Sequence, residues 1–354
     1  MAQKKYSIPS NAFIGEKAIN QFNQFLKTVK YKQFFVLCDS HTLNHCLPLL
    51  IANSPAIKSA NIFEIEPGEP SKCLAVAEQI WLSLLEQKAG NDTLIINLGG
   101  GVVCDLGGFC ASVFKRGIDY VNIPTSLLAM VDAAIGGKTA VDLNNIKNII
   151  GSFYPAKAVF IDPIFLITLP NREMKNGLAE VIKMALINDK SFWTTLNKPD
   201  TTIHDEFISK AIAIKHGIVS KDPFDKGIRQ TLNYGHSIAH AIEAHEAEKK
   251  DPILHGEAVV IGMIVENHIA KQLKMLDQAS MDEINNFLFK NFKPKAISEN
   301  EIEILTAYLH HDKKNTNTQL KFSLLNKIGK CQIQVPVKPN HIQKALQYYV
   351  KLVK

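Results

Sequence analysis

The chain has 354 residues, 46% hydrophobic and 21% charged. That excludes a disordered polymer and leaves length for about two domains, each able to bury a core without disulfides or structural metal. Lys+Arg 40 against Asp+Glu 34 gives a formal net charge of +6. This is too mild and dispersed for a nucleic-acid binder, but it suits an anionic small substrate if the cations converge on one pocket.

Short apolar runs alternate with helical patterns over the first part of the chain. QFFVLCDS (33–40), ANIFEIE (60–66), DTLIINLGGG (92–101), YVNIPTS (120–126) and KAVFID (157–162) read as strands, and PSKCLAVAEQIWLSLLEQKAG (70–90) as an amphipathic helix with a glycine stop. Strand and helix in this alternation predict a parallel sheet with ligands at its carboxyl edge. After TLPNRE (168–173) helical periodicity dominates to about residue 310. LKFSLL (320–325) and CQIQVPV (331–337) read as a late hairpin, and HIQKALQYYVKLV (341–353) as a closing helix. The expected division is an α/β, Rossmann-like domain over 1–169 and a mostly helical domain over 170–354, packed with a cleft between them.

Six cysteines, Cys38, Cys46, Cys73, Cys104, Cys110 and Cys331, form no C-x-x-C pair and read as free thiols of a reducing compartment. The N-terminal MAQKKYSIPSNAF has no apolar signal core, and no apolar run reaches a membrane span of about 18 residues. A cytoplasmic protein with no membrane or nucleic-acid partner is the expectation.

INLGGGVVCDLGGF (96–109) follows a strand and opens a helix. A helix start offers unpaired N–H groups and a positive dipole end to a phosphate or pyrophosphate. Gly99, Gly100 and Gly101 let a ligand approach the backbone, and Asp105 offers a carboxylate to a ribose hydroxyl or cofactor amide. Cys104 stands where a dinucleotide fingerprint has its third glycine, and a tight strand-to-helix turn would use the same glycines.

Glu180 sits in GLAEVIK with Lys183 one turn on, His236 and His240 are spaced i, i+4 in NYGHSIAHAIE, and His255 opens LHGEAV. One carboxylate and two imidazoles make an accepted catalytic zinc set, which leaves open which histidines take part. Helix-face histidines satisfied by backbone or carboxylates are the other reading. Lys183, Lys215 and Arg229 lie in apolar helical stretches, while Asp132, Lys138, Lys147 and Asn148 punctuate a small-residue segment. Cations flanked by small and apolar residues fit a dianion site better than a solvated surface.

Together these stretches, with VNIPTSLLAMVDAAIGGKTAVDLNNIKNIIGSFYPAKAVFID, LPNREMKNGLAEVIK, RQTLNYGHSIAHAIE and the DKK at 312–314, closely resemble the 3-dehydroquinate synthase family over roughly residues 30 to 330. The resemblance implies a nucleotide-binding α/β domain, a helical metal-binding domain and a homodimer. It implies conversion of 3-deoxy-D-arabino-heptulosonate 7-phosphate to 3-dehydroquinate and phosphate by transient NAD-dependent oxidation, phosphate elimination, re-reduction and aldol closure. Carried over by position, it places Asp39, Glu69, Lys72, Gly99, Gly100, Gly101, Val102, Val103, Asp105, Thr125, Ser126, Lys138, Lys147, Phe165 and Thr168 at NAD. Glu180, His236 and His255 become ligands of Zn2+ or Co2+. The substrate and catalytic positions are Asp132, Lys138, Asn148, Lys183, Lys215, Arg229, Asn233, His240, Lys313 and Lys314, with Arg116 donated across the dimer interface.

Cys104 for a usual glycine, Ser126 for a usual threonine, and Pro67 and Pro70 beside Glu69 depart from the family pattern. The thiol is expected to crowd or reshape the pyrophosphate site without abolishing binding, since Gly99 to Gly101 remain. Sister sugar-phosphate cyclases share the NAD and metal apparatus, and metal-dependent alcohol or glycerol dehydrogenases share the glycine loop. A non-catalytic nucleotide sensor on the same scaffold would not need an intact ligand triad.

Overall fold

The computed structural model describes residues 8–144, 146–198, 205–247, 249, 251–311 and 320–353. Two compact units emerge, Met1–Gly177 with His204–His216, and Leu178–Ile203 with Gly217–Lys354. Both borders between units near Gly177 and His216 fall inside helices, Asn171–Asn188 and Asp205–Val219. No break in composition marks such a border.

The first unit is built on a six-stranded parallel sheet of β1 (Ala12–Ile14), β2 (Gln33–Asp39), β3 (Asn61–Ile65), β4 (Thr93–Gly99), β5 (Tyr120–Pro124) and, after a hairpin of β6 (Lys138–Leu143) and β7 (Ile146–Phe153), β8 (Ala158–Ile161). The spatial order is β1-β8-β5-β4-β2-β3. Every residue of β4, TLIINLG, is buried, as in a strand covered on both faces. From β2 the chain steps outward to β3, returns to β4, and then steps the other way to β5 and β8. The reversal makes the β2/β4 pair a topological switch point, where ligands of open α/β sheets bind at the carboxyl ends. Those ends are Asp39 and Gly99.

Two features lie outside the strands read from sequence. β1 has three residues and joins the sheet edge against β8, pairing Ala12 with Val159. β6 and β7 pair antiparallel from Lys138↔Phe153 to Leu143↔Ile146, and β7 is half to fully exposed along its length, so no apolar run betrays it. The 70–90 pattern resolves into a 3-10 turn at Glu69–Ser71, with Pro70 in its first turn, and a helix Leu74–Glu86.

Helix Gly101–Val113 lies close on the sheet. A Cβ at Gly107 would sit 1.9 Å from Asn97 Oδ1, so only glycine allows this approach.

The second unit is helical, with the antiparallel pair β9 (Leu320–Lys327) and β10 (Lys330–Val337) and the helix Pro339–Leu352 after it. Its central helix, His255–Gln272, is buried on all sides along most of its length. Helix His236–Glu246 packs on it where Gly235 meets Gly262. Among the described residues no helix is long and apolar enough to cross a membrane.

Candidate active site

Glu180, His236 and His255 come together in the second unit. One ligand atom from each lies within 4.8 Å of the others. Glu180 Oε1 is 3.5 Å from His236 Nε2 and 3.6 Å from His255 Nε2. A tetrahedral metal with bonds of about 2.0–2.1 Å separates neighbouring ligand atoms by about 3.4 Å. The observed spacings match that edge and are too long for good hydrogen bonds.

The Glu180 side chain is fully buried, and neither carboxylate oxygen has a hydrogen-bond partner of proper geometry. Burying a carboxylate oxygen unsatisfied is costly, so Oε1, facing the two imidazoles at 3.5 and 3.6 Å, is itself a sign of a missing positive partner. Lys183, 1% exposed and one turn along, ion-pairs with Oε2, which leaves Oε1 to the two imidazoles. Burial alone would raise the Glu180 pKa, but Lys183 and His255 outweigh it and bring it down to about 2. Burial, then Lys183 and the neighbouring imidazoles, holds His236 well below the usual histidine value. An ionised carboxylate and a neutral imidazole are the protonation states that bind metal.

The ring orientations are fixed from behind. His236 Nδ1 donates to the Tyr234 carbonyl at 3.1 Å, and His255 Nδ1 lies 3.3 Å from Glu243 Oε1. The buried Glu266 accepts from Gly235 N at 2.7 Å and so fixes the start of the helix that carries His236. Sequence reasoning passed over Glu243 and Glu266. A signal existed for the first: His236, His240 and Glu243 fall at i, i+4 and i+7, one helix face. His240 is exposed and outside the group of three, its ring edge-on to His236 at 5.6 Å between centroids.

A second cluster forms in the first unit near the carboxyl edge of the sheet. Lys72, buried, donates to Asp105 Oδ2 at 2.7 Å and to Asn148 Oδ1 at 2.6 Å. Burial alone would lower the Lys72 pKa, but Asp105 and Glu69 raise it above the usual lysine value. Asn148 has a left-handed φ of +55° and donates its N–H to Asp142 Oδ1 at 2.7 Å. Lys147 pairs with Glu69 at 3.6 Å. Thus Asn148, assigned by resemblance to substrate, sits with residues assigned to NAD.

Asp39 caps helix Ser40–His45, accepting from Thr42 N at 2.8 Å. No side chain caps helix Gly101–Val113 at Gly100, which leaves its first-turn N–H groups to an anion. Thr125 is buried and its N–H bonds Gly99 O, and Ser126 Oγ accepts from Ala129 N. Val102 is half-buried, Val103 and Phe165 are buried, and Thr168 is exposed.

Cys104 lies in the first turns of helix Gly101–Val113. Its side chain is 2% exposed, and its Sγ reaches back to the Gly99 carbonyl at 3.9 Å, in the glycine loop itself. Burial, with Asp105 adding to it, pushes the thiol pKa far up and keeps it neutral.

The cations read in apolar stretches are buried. Lys215 Nζ donates to the Asp132 carbonyl at 2.5 Å and to Asp132 Oδ1 at 2.7 Å. Arg229 Nη1 donates to the Pro223 carbonyl at 2.7 Å. Lys138, Asn233 and Arg116 are exposed. Lys313 and Lys314 lie outside the described residues.

The chain matches the 3-dehydroquinate synthase N-terminal family model over residues 62–176 and the C-terminal model over 177–315. It is 40% identical over 343 residues to a 3-dehydroquinate synthase of Clostridium beijerinckii, covering 94% of this chain and 96% of that one. A 3-dehydroquinate synthase of Parabacteroides distasonis is 35% identical over 335 residues, 93% and 95% of the two chains. Among solved structures, a 2-deoxy-scyllo-inosose synthase complexed with carbaglucose-6-phosphate, NAD+ and Co2+ superposes with TM-score 0.82 at 24% identity, covering 96% of each chain. A 2-epi-5-epi-valiolone synthase from Streptomyces hygroscopicus with NAD+ and Zn2+ bound gives TM-score 0.84 at 23% identity over 99% of each, a likeness of fold. With both halves matched and relatives at 35% and 40% identity covered over 95% and 96% of their length, the chain belongs to the 3-dehydroquinate synthase family.

Proposed function

We propose that this chain converts 3-deoxy-D-arabino-heptulosonate 7-phosphate to 3-dehydroquinate and phosphate, as an NAD- and divalent-metal-dependent phosphate-eliminating lyase. The observation that carries the reading is the buried Glu180, whose Oε1 lacks a hydrogen-bond partner and faces the Nε2 atoms of His236 and His255. A metal there supplies Lewis acidity, and a bound nicotinamide supplies a transient hydride acceptor.

The chain's own residues bind, orient and neutralise. Glu180, His236 and His255 hold the divalent ion, Zn2+ or Co2+. Lys183 keeps Glu180 ionised and turned to ligate through one oxygen. The open helix end at Gly100–Val103 takes the cofactor's pyrophosphate, and Lys72 presents Asp105 and Asn148 beside it. Lys215 fixes the Asp132 turn. Lys138, Arg229, Asn233, Lys313 and Lys314 hold substrate phosphate and carboxylate, while His240 and Lys215 handle protons. The leaving phosphate can take the proton next to the new ketone itself, so no strong protein base is required.

A cytoplasmic homodimer in which Arg116 reaches the partner's substrate phosphate completes the reading. Its support is local. Arg116 is exposed at φ +67°, with Lys115 at +48° and Gly117 at +115°, a strained turn of the kind kept at functional positions. Ile146, Ile149 and Phe153 expose apolar surface on β7. The free cysteines suit a reducing compartment.

Phosphate release tests the reading. It is expected from the heptulosonate phosphate only with NAD and metal present, and to stop with chelator. Equal release from glucose 6-phosphate or sedoheptulose 7-phosphate, or net NADH accumulation with a simple alcohol, would overturn it. On the same basis Cys104→Ala is expected to cost about 1 kcal/mol of stability while leaving NAD affinity within about twofold. Thermal unfolding and cofactor titration read the two effects, and a large loss of NAD affinity would put the thiol in the cofactor site.

A further inference from the structure

The two imidazoles of the triad are backed differently. His236 has a neutral partner, the Tyr234 carbonyl. His255 has an anionic one: Glu243, with its side chain 3% exposed and Oε1 3.3 Å from Nδ1. A buried carboxylate is expensive unless something is gained from it. Glu243 stands two turns beyond His236 on the helix His236–Glu246, so a single helix supplies one ligand directly and grips the next helix's ligand from behind.

We propose that Glu243 is a positioning residue of the metal centre, accepting the Nδ1–H of His255 so that Nε2 faces Glu180 as a strong donor. The inference rests on the reading of Glu180, His236 and His255 as metal ligands. Two physical effects follow from the placement. The hydrogen bond fixes tautomer and ring angle, which removes freedom that the ligand would otherwise lose on binding the ion. The charge adds to the field at the site. Glu180 and Lys183 form one ion pair, and Glu243 adds a further carboxylate behind His255 to favour a dication.

The rival role is a structural ion pair that stabilises the helix pair and does nothing for the ion. Co2+ binding separates the two roles, because it is read without turnover. Glu243→Gln keeps the size and an acceptor oxygen but removes the charge. Glu243→Ala removes both. Competition against a chelator is expected to show Co2+ affinity weakened about 10-fold in the Gln variant and about 100-fold in the Ala variant. The visible absorption of the bound Co2+ should change with them, while NAD affinity and the melting temperature of the metal-free protein stay close to the unchanged chain.

Unchanged Co2+ affinity in both variants overturns the proposal, whether or not the metal-free melting temperature falls. His236→Ala and His255→Ala run alongside. If these bind Co2+ as tightly as the unchanged chain, the ligand reading itself fails. If they lose Co2+ and the Glu243 variants keep it, only the positioning role fails.

Discussion

Glu180→Ala should lower turnover at least about a thousandfold, because loss of a metal ligand forfeits about 4 kcal/mol or more of charge stabilisation. The same substitution strands Lys183, a buried cation whose ion-pair partner is Glu180. Removing one partner of a buried pair costs about 3–5 kcal/mol, a large part of a typical stability of about 5–15 kcal/mol. Activity and fold would fall together, so this variant alone cannot assign the cause. His236→Ala separates them. Burial and neighbouring cations keep that imidazole neutral, and its removal leaves no unpaired charge behind. Its turnover should fall as far as that of Glu180→Ala, with a clearly smaller drop in melting temperature. Turnover, metal content and thermal unfolding of the two variants, each with and without added Zn2+, test the pair. Near-normal turnover in a metal-depleted form of either would remove the metal from the reaction.

The sequence displays these features unevenly. The long strands β2, β4 and β5 were legible because burial on both faces makes a continuous apolar run. The β6–β7 hairpin was not, since β7 is exposed along most of its length and β6 buries a run of only Thr139–Val141. His236 and His240 were visible as a spaced pair, but spacing gave no choice between them. The choice came from resemblance, and the structure then placed His236 in the group of three.

Glu243 and Glu266 escaped notice because an isolated glutamate on a helix reads as surface. What made them interior is the depth of the central helix His255–Gln272, a tertiary property. The partner of Lys72 was equally hidden. Asp105 is 33 positions away and Asn148 is 76, and only the folded chain joins them.

The depth of that central helix yields the second large effect. Gly262 lies in the interior of helix His255–Gln272, where alanine is ordinarily the better helix former by about 1 kcal/mol. Here a Cβ would sit 1.9 Å from the carbonyl oxygen of Gly235 and 2.8 Å from its carbon, both backbone atoms. Gly235 cannot swing aside. Its φ is +83°, its N–H is held by Glu266, and a Cβ on it would meet Met263 at 2.9 Å. The helices must therefore separate, on the order of 1 Å, and overpacking of this kind costs about 1–3 kcal/mol or more, which outweighs the propensity gain.

The damage extends past stability, since His236 follows Gly235 directly and His255 opens the helix that would move. A misplacement of about 1 Å is enough to cost about 100-fold in a catalytic constellation. Gly262→Ala should thus lower both the melting temperature and Co2+ affinity. Gly217→Ala, also within a helix but with nothing within 4 Å of its Cβ, should be neutral or stabilising. Equal melting temperatures and equal Co2+ affinities for the two variants would mean that the crossing is loose, and that close backbone approach is not what sets the separation of the two histidines.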